Sequence, residues 1–250
     1  MPADGYLSPQ YATIGSLSGV GNLNDKISFY KKIIKKLKEK NCLIALDTSN
    51  SKILKECLNY VDIIKANLYE FNEIIKNEKK LITEKDIYSE IYKKINSTEE
   101  FLNWKFINEK NKDKKENWEI LINELKNFKI DNPNLTLILS LGPKGMLFAP
   151  KNNNSIMLLH YLENEVEYND YKKLVGVGDS ALAGYIVGLY QNKTEIEAVK
   201  YSIATATARI MNKRNEKKFL DSERVNKICD SGNLSISNYK YDDNKVEYPF

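Results

Sequence analysis

The chain has few of the residues on which several common classes of catalytic site depend. It contains one histidine, His160, and three cysteines that form no CxxC pair. A single histidine argues against Ser-His-Asp or Cys-His catalysis, and isolated cysteines predict neither a disulfide framework nor a structural zinc site. His160 itself lies in the apolar run SIMLLHYL, which favours a structural position in a strand.

Arginine is scarce, and long apolar runs are absent. Only Arg209, Arg214 and Arg224 are arginines among 38 basic residues, and the formal net charge is +4. Nucleic-acid surfaces rely on arginine for base and phosphate contacts, so the dispersed lysines predict a solvated surface instead. No apolar run approaches the length of a membrane span, and the first residues lack the order of a signal peptide. We therefore expect a cytoplasmic protein that binds neither nucleic acid nor membranes.

The sequence does contain a regular alternation of helical and strand-like segments. Residues 25–40 repeat apolar side chains at three- and four-residue steps, which predicts an amphipathic helix. Short apolar runs ending in Asp47 and Asn67 predict buried strands, each followed by a helix. A strand–turn–strand pair is predicted at 135–150, and two helices at 178–191 and 194–213. This order favours an α/β fold with a mostly parallel sheet and helices on both faces.

Polar residues follow the predicted strands. Asp47, Lys65, Asn67 and Gly142 lie at strand ends or in turns, and Asp179 lies in a glycine turn before a helix. In open α/β sheets, ligands bind beyond the carboxyl ends of the strands. We therefore expect these residues to converge on one site.

Residues 76–134 differ in composition from their surroundings. They are rich in Lys, Asn and Glu and include one amphipathic stretch, ENWEILINELKNF. We interpret 1–250 as a single domain that carries 76–134 as a partly helical insertion.

The turn VGVGDS at 175–180 admits three interpretations. With the following Ala181, the segment GVGDSA fits the dinucleotide pattern G-x-G-x-x-G/A, but no apolar strand precedes it and a second helix follows the first, which argues against that pattern. Asp179 could be a helix cap without any further role. Alternatively, backbone N–H groups of the turn could bind a phosphate at the helix N-terminus, with Asp179 beside it as a proton acceptor.

Six segments in order resemble one known family. VGVGDSALAGY is similar to the G-A-G-D signature of the PfkB (ribokinase-like) carbohydrate kinases. The other five segments are GSLSGV at 15–20, LDTSN at 46–50, IIKANLYEFNEI at 63–74, LSLGPKGMLF at 139–148 and AVKYSIATATARI at 198–210. The resemblance is greatest to the branch with 1-phosphofructokinase and tagatose-6-phosphate kinase. It implies a ribokinase-like three-layer αβα fold, in which we expect the early strands and the lid over the sugar to be missing.

The resemblance also implies roles for individual residues. Asp179 would be the base that deprotonates a sugar hydroxyl, while the N–H groups of Gly176, Val177 and Gly178 would hold the transferring phosphoryl group. Asn67 and Glu70 would organise Mg²⁺. The residues implied to contact the nucleotide are Lys65, Ser140, Gly142, Lys144 and Gly145.

The implied function is ATP-dependent, Mg²⁺-dependent phosphorylation of a sugar or sugar phosphate. A catalytically weak or inactive nucleotide-binding or interaction protein is the alternative, because the lid is expected to be missing. The implied partner is the sugar substrate, and a homodimer is expected if the full protein has a lid.

Overall fold

One sheet organises the described part of the chain. The computed structural model describes residues 11–17, 21–75, 112–142, 145–161, 176–211, 222–241 and 246–247. The strands are β1 (Tyr11–Ile14), β2 (Leu43–Leu46), β3 (Ile63–Asn67), β4 (Thr136–Ser140), β5 (Met146–Ala149), β6 (Ser155–Tyr161), β7 (Leu234–Tyr241) and β8 (Val246–Glu247). The helices are α1 (Leu23–Lys38), α2 (Ser51–Cys57), α3 (Leu68–Ile75), α4 (Lys112–Asp131), α5 (Val177–Tyr190), α6 (Glu195–Met211) and α7 (Ser222–Asp230).

The strands lie side by side in chain order, and the sheet has two halves. Strands β1 to β4 are parallel, with helical crossovers between them, and β5 to β8 extend the sheet as an antiparallel meander. In the register of β3 and β4, Asn67 lies beside Ser140. The carboxyl ends of the four parallel strands therefore meet at one edge of the sheet.

Helices cover both faces of the sheet, and the alternation of side chains along the strands assigns each face. Ile44 and Leu46 of β2 pack in a cluster with α1, α2, α3 and α4. Ala45, between them, packs in a second cluster with α5 and α6. The same alternation continues through β3, β4, β5 and β6, because neighbouring side chains of a strand point to opposite faces. The predicted three-layer αβα fold is thus confirmed.

Helix starts follow the expected capping chemistry. Asn22 and Asp25 form a reciprocal capping box at the start of α1. The predicted cap of α6 is also present, since the Glu197 N–H donates to Thr194 Oγ1 at 3.3 Å and the Thr194 N–H donates to Glu197 at 2.8 Å. Such reciprocal bonds satisfy backbone donors that have no partner within the helix.

The segment 76–134, predicted as an insertion, contributes to the core at its C-terminal end. Leu121, Ile122 and Leu125 of α4 are fully or almost fully buried in the cluster beneath the parallel strands. α4 therefore belongs to the helical layer formed with α1, α2 and α3, and it is not part of a surface insertion. Residues 76–111 of the predicted insertion lie outside the described residues.

Four elements listed above were not predicted from the sequence, namely β1, β7, β8 and α7. β7 pairs with β6 along seven residues, from Leu234 beside Tyr161 to Lys240 beside Ser155. None of the helices in the described ranges combines the length and the hydropathy needed to cross a bilayer.

Helices α5 and α6 pack with their backbones in close approach, which two glycines permit. A Cβ atom at Gly184 would overlap Thr205 Oγ1 and lie 2.6 Å from the Tyr201 carbonyl oxygen. At Gly188 it would lie 2.7 Å from the Cα atom of Ala198. The absence of side chains at these two positions fixes how closely the helices approach each other.

Substitution of Gly184 by alanine tests this packing. We expect Gly184→Ala to lower the free energy of unfolding by about 1–3 kcal/mol, because the collision is partly with backbone and cannot be relieved by a rotamer change. Urea denaturation measures this difference. Gly15→Ala is the control, since the nearest atom to its Cβ would be the Asp47 carbonyl oxygen at 3.9 Å. A stabilised Gly184→Ala protein, as helix propensity alone predicts, would contradict the packing.

Candidate functional site

The carboxyl ends of three parallel strands carry polar side chains on the same face of the sheet. Asp47 directly follows β2 and lies on the same face of the sheet as Ala45, which packs against α5 and α6. Lys65 and Asn67 of β3 lie on that face too, together with Ile63. Ser140 follows Ile138 on β4. The apolar part of each strand packs under these two helices, and Lys65 of β3 reaches the first turn of α5.

Lys65 and Asp47 form an ion pair that is shielded from solvent. Their side chains are 12% and 13% exposed, and Lys65 Nζ lies 3.2 Å from Oδ1 and 3.1 Å from Oδ2 of Asp47. Only Oδ1 accepts a hydrogen bond with good geometry, so Oδ2 is a buried carboxylate oxygen without a hydrogen bond among the described residues. Burial raises the pKa of Asp47 above its ordinary value, and the charge of Lys65 opposes this rise.

The first turn of α5 lies beside this pair. The N-cap residue, Gly176, adopts a left-handed conformation with φ +79°, and no side chain of the described residues caps it. Asp179 lies within the first helical turn and is exposed, so the alternative that Asp179 is the helix cap is not supported. The first N–H groups of a helix and its dipole together favour an anion at this position.

Gly178 contacts the ammonium of Lys65. A Cβ atom at this position would overlap Lys65 Nζ and lie 3.0 Å from Lys65 Cε. Because Gly178 has no side chain, the Lys65 ammonium can lie directly beside the first turn of α5. Lys65, Asp47 and Asp179 are close enough to interact electrostatically.

Asn67 and Glu70, predicted as metal-organising residues, form a reciprocal capping box at the start of α3. The Glu70 N–H donates to Asn67 Oδ1, and the Asn67 N–H donates to Glu70 Oε2, each at 2.8 Å. Glu70 is 6% exposed. Burial raises the pKa of Glu70, while the Asn67 N–H and the Lys65 charge oppose the rise. The N-x-x-E pattern thus has a structural role of its own in this chain.

The donor set is compatible with Mg²⁺ only if the ligand and water supply part of the coordination. The described residues contain no group of three or more His, Cys, Asp or Glu side chains placed to hold a metal ion. Mg²⁺ commonly keeps several waters and is bound through one or two carboxylates together with substrate phosphates. The buried Oδ2 of Asp47 and the Glu70 Oε1 that the capping box does not use are oxygen donors of the required kind.

The residues predicted to line a nucleotide lie at the end of β4. Ser140 donates a hydrogen bond to the Ala66 carbonyl oxygen at 3.3 Å, which ties β4 to β3. Gly142 and Gly145 both have positive φ and close a tight turn, in which the Gly145 N–H donates to the Gly142 carbonyl oxygen at 3.1 Å. Packing also requires glycine at position 145, because a Cβ atom there would overlap the Leu159 carbonyl oxygen. Lys144 lies outside the described residues.

Two residues that were assigned no role in the predicted site lie at it or close to it. Asp47 was expected at this end of the sheet but was given no role, although the apolar run that it follows indicated its position. Arg209, near the end of α6, has Nε and a terminal nitrogen 3.9 Å from the position that a Cβ atom of Gly176 would take. Its proximity depends on how α6 packs against α5, which the sequence pattern does not show.

A separate surface groove lies away from these residues, along α1 and α2. It is lined by Asn24, Ile27, Ser28, Lys31, Lys32, Lys35, Lys52 and Glu56. Lys31 is already paired with Glu56 at 2.8 Å on the solvent-facing side of these helices. None of the residues predicted at the strand ends or at the N-terminus of α5 lines this groove, so we place the candidate site at the end of the sheet.

Comparison with known proteins gives a likeness in structure alone. No family model matches the chain, and the curated proteins contain no match to its sequence. A protein from Clostridium perfringens described as a sugar kinase aligns with a TM-score of 0.59 and 16% identity, over 93% of this chain and 57% of its own. Phosphofructokinase-2 from Escherichia coli aligns with a TM-score of 0.55 and 16% identity, over 86% of this chain and 54% of its own.

The chain has the fold of these sugar kinases. The likeness confirms the predicted ribokinase-like α/β architecture. A protein from Staphylococcus aureus described as a phosphofructokinase gives the same result, with a TM-score of 0.55 and 15% identity over 92% of this chain and 58% of its own. The chain spans little more than half the length of each of these three proteins.

The capping box at Asn67 can be tested without any ligand. We expect Asn67→Ala to lower the free energy of unfolding by about 1 kcal/mol, because the first N–H groups of α3 lose an acceptor. Asn67→Ser keeps an acceptor at the cap and should stay close to the wild type. Urea denaturation of the three proteins measures the difference, and equal stability of Asn67→Ala and the wild type would show that the cap does not form.

Proposed function

We propose that this chain is an ATP-dependent kinase of a sugar or sugar phosphate, with the reacting phosphoryl group held at the N-terminus of α5. The observation that carries the proposal is the contact between Lys65 and Gly178 at the start of that helix. A lysine ammonium and the first N–H groups of a helix converge there beside an exposed carboxylate. Phosphoryl transfer to a hydroxyl requires these groups, namely cationic and N–H donors for the phosphate and a carboxylate base for the hydroxyl.

The first turn of α5 would stabilise negative charge during transfer. N–H groups of Gly176, Val177 and Gly178 would donate to the phosphoryl oxygens, and Lys65 would neutralise part of the charge. Donors that are already fixed in position stabilise charge that develops in the transition state without reorganisation. The Lys65–Asp47 pair holds the ammonium in place before the ligand arrives.

Asp179 would accept the proton of the attacking hydroxyl. Its side chain is exposed, so a bound sugar can approach it, and its position in the first helical turn places it beside the N–H groups that would hold the phosphoryl group. General-base catalysis requires that the base lie within hydrogen-bond reach of the proton it removes. Asp179 meets this requirement if the sugar binds on the outer side of the turn.

Mg²⁺ and the nucleotide would lie between α5 and the ends of β3 and β4. Glu70 and Asn67 would organise the water ligands of Mg²⁺, with Asp47 Oδ2 as a further oxygen donor, and the metal would supply charge neutralisation for the phosphates. The turn at Gly142 and Gly145, with Ser140 before it, would line the nucleotide, and the sequence resemblance implies a nucleotide contact from Lys144 as well. A hexose phosphate is the acceptor that the sequence resemblance favours.

A kinase assay with a variant of Asp179 tests the proposal. ADP release is measured with ATP, Mg²⁺ and a panel of hexoses and hexose phosphates. We expect the wild type to phosphorylate at least one acceptor, and Asp179→Asn to lower kcat by about 10²–10⁴-fold because it cannot take the proton. ATP affinity should be unchanged within a few-fold, and the control Asp230→Asn, at the exposed end of α7, should keep full activity.

Two results would contradict the proposal in different ways. Full activity of Asp179→Asn would remove Asp179 from the role of base. Tight ATP binding by the wild type without turnover on any acceptor would favour a nucleotide-binding protein without catalytic function. The engagement of Asn67 and Glu70 in a capping box is the observation that favours this second function.

A further inference from the structure

Arg209 occupies a position at the candidate site that the packing of two helices determines. Along the antiparallel pair of α5 and α6, Gly188 lies against Ala198, and Ser202 Oγ donates to the Ala181 carbonyl oxygen at 2.7 Å. This alignment of the two helices brings the last turn of α6 beside Gly176, the residue that precedes α5. Arg209, in that last turn, is the side chain that reaches Gly176.

The geometry at Gly176 joins Arg209 to the groups that would bind the phosphoryl group. One point, where a Cβ atom of Gly176 would lie, is 3.9 Å from Arg209 Nε and from a terminal nitrogen of its guanidinium. The same point is 4.0 Å from Asp179 Oδ2. Arg209 thus approaches the first glycine of the turn, and Lys65 approaches the second.

We propose that Arg209 donates hydrogen bonds to the anion held at the N-terminus of α5, as a second cationic contact besides Lys65. The inference rests on the proposed function, since the anion is the phosphate chain of the nucleotide. An arginine guanidinium presents fixed, paired N–H donors that match two oxygens of one phosphate group. It would stabilise charge on the phosphate group nearest to Asp179.

A purely structural role is the competing explanation. A basic side chain in the last turn of a helix interacts favourably with the helix dipole. That role predicts lower stability on substitution but no loss of anion affinity in the folded protein. Anion binding and thermal unfolding, measured on the same variants, therefore separate the two explanations.

The experiment is calorimetric titration of the full chain with inorganic tripolyphosphate, which carries the phosphate charge without a nucleoside or sugar. We expect Arg209→Met to weaken binding about tenfold or more, because it loses charge-assisted hydrogen bonds. Arg209→Lys keeps the charge without the paired donors and should give an intermediate affinity. Arg224→Met is the matched control, since Arg224 donates to the Met211 carbonyl oxygen at 3.1 Å from α7, and its affinity should equal that of the wild type.

Each outcome decides a separate point. Equal tripolyphosphate affinity in the wild type and folded Arg209→Met would overturn the role of Arg209 and leave the proposed function intact. If Arg209→Met fails to fold, Arg209→Lys still tests the inference, and wild-type affinity in that variant would contradict it. No binding of tripolyphosphate by the wild type would overturn the proposed phosphate site together with the inference.

Discussion

The candidate site depends on the position of one ammonium group. The side chain of Lys65 extends from β3 on the face covered by α5 and α6, where it pairs with Asp47 and contacts Gly178. A shielded ion pair contributes little net stability, because desolvation offsets much of the attraction, but it fixes the two side chains in one arrangement. The first turn of α5 packs on that arrangement, so the helix N-terminus, the lysine and Asp179 occupy fixed positions relative to one another.

The second constraint is the close approach of α5 and α6. Gly184 and Gly188 allow the two backbones to approach closely, and this sets the register that carries Arg209 to Gly176. The sheet therefore supplies Asp47 and Lys65, while the helix pair supplies the N–H groups, Asp179 and Arg209. The antiparallel strands β5 to β7 complete the surface on which this helix pair rests, through residues such as Phe148 and Leu159.

Much of this arrangement was predictable from the sequence, because strand alternation and helix periodicity are local patterns. The apolar runs before Asp47 and Asn67 fixed which ends of the sheet carry polar groups, and the glycine turn indicated the N-terminus of α5. β7 was missed because LSISNYKY mixes polar and apolar residues on both faces. Arg209 and the core position of α4 depend on packing between distant segments, which no local pattern contains. Asn67 with Glu70 could have been recognised as a capping box, since Asn is a favoured N-cap and Glu a favoured third residue.

The most direct test of the central claim is an experimental structure with a non-hydrolysable ATP analogue and Mg²⁺. The account predicts phosphate oxygens within about 2.7–3.2 Å of backbone N–H groups in the first turn of α5 and of Lys65 Nζ. It also predicts the Lys65–Asp47 contact in the bound protein. A triphosphate bound elsewhere, for example among the lysines of the groove along α1 and α2, with the first turn of α5 free of phosphate, would contradict the account.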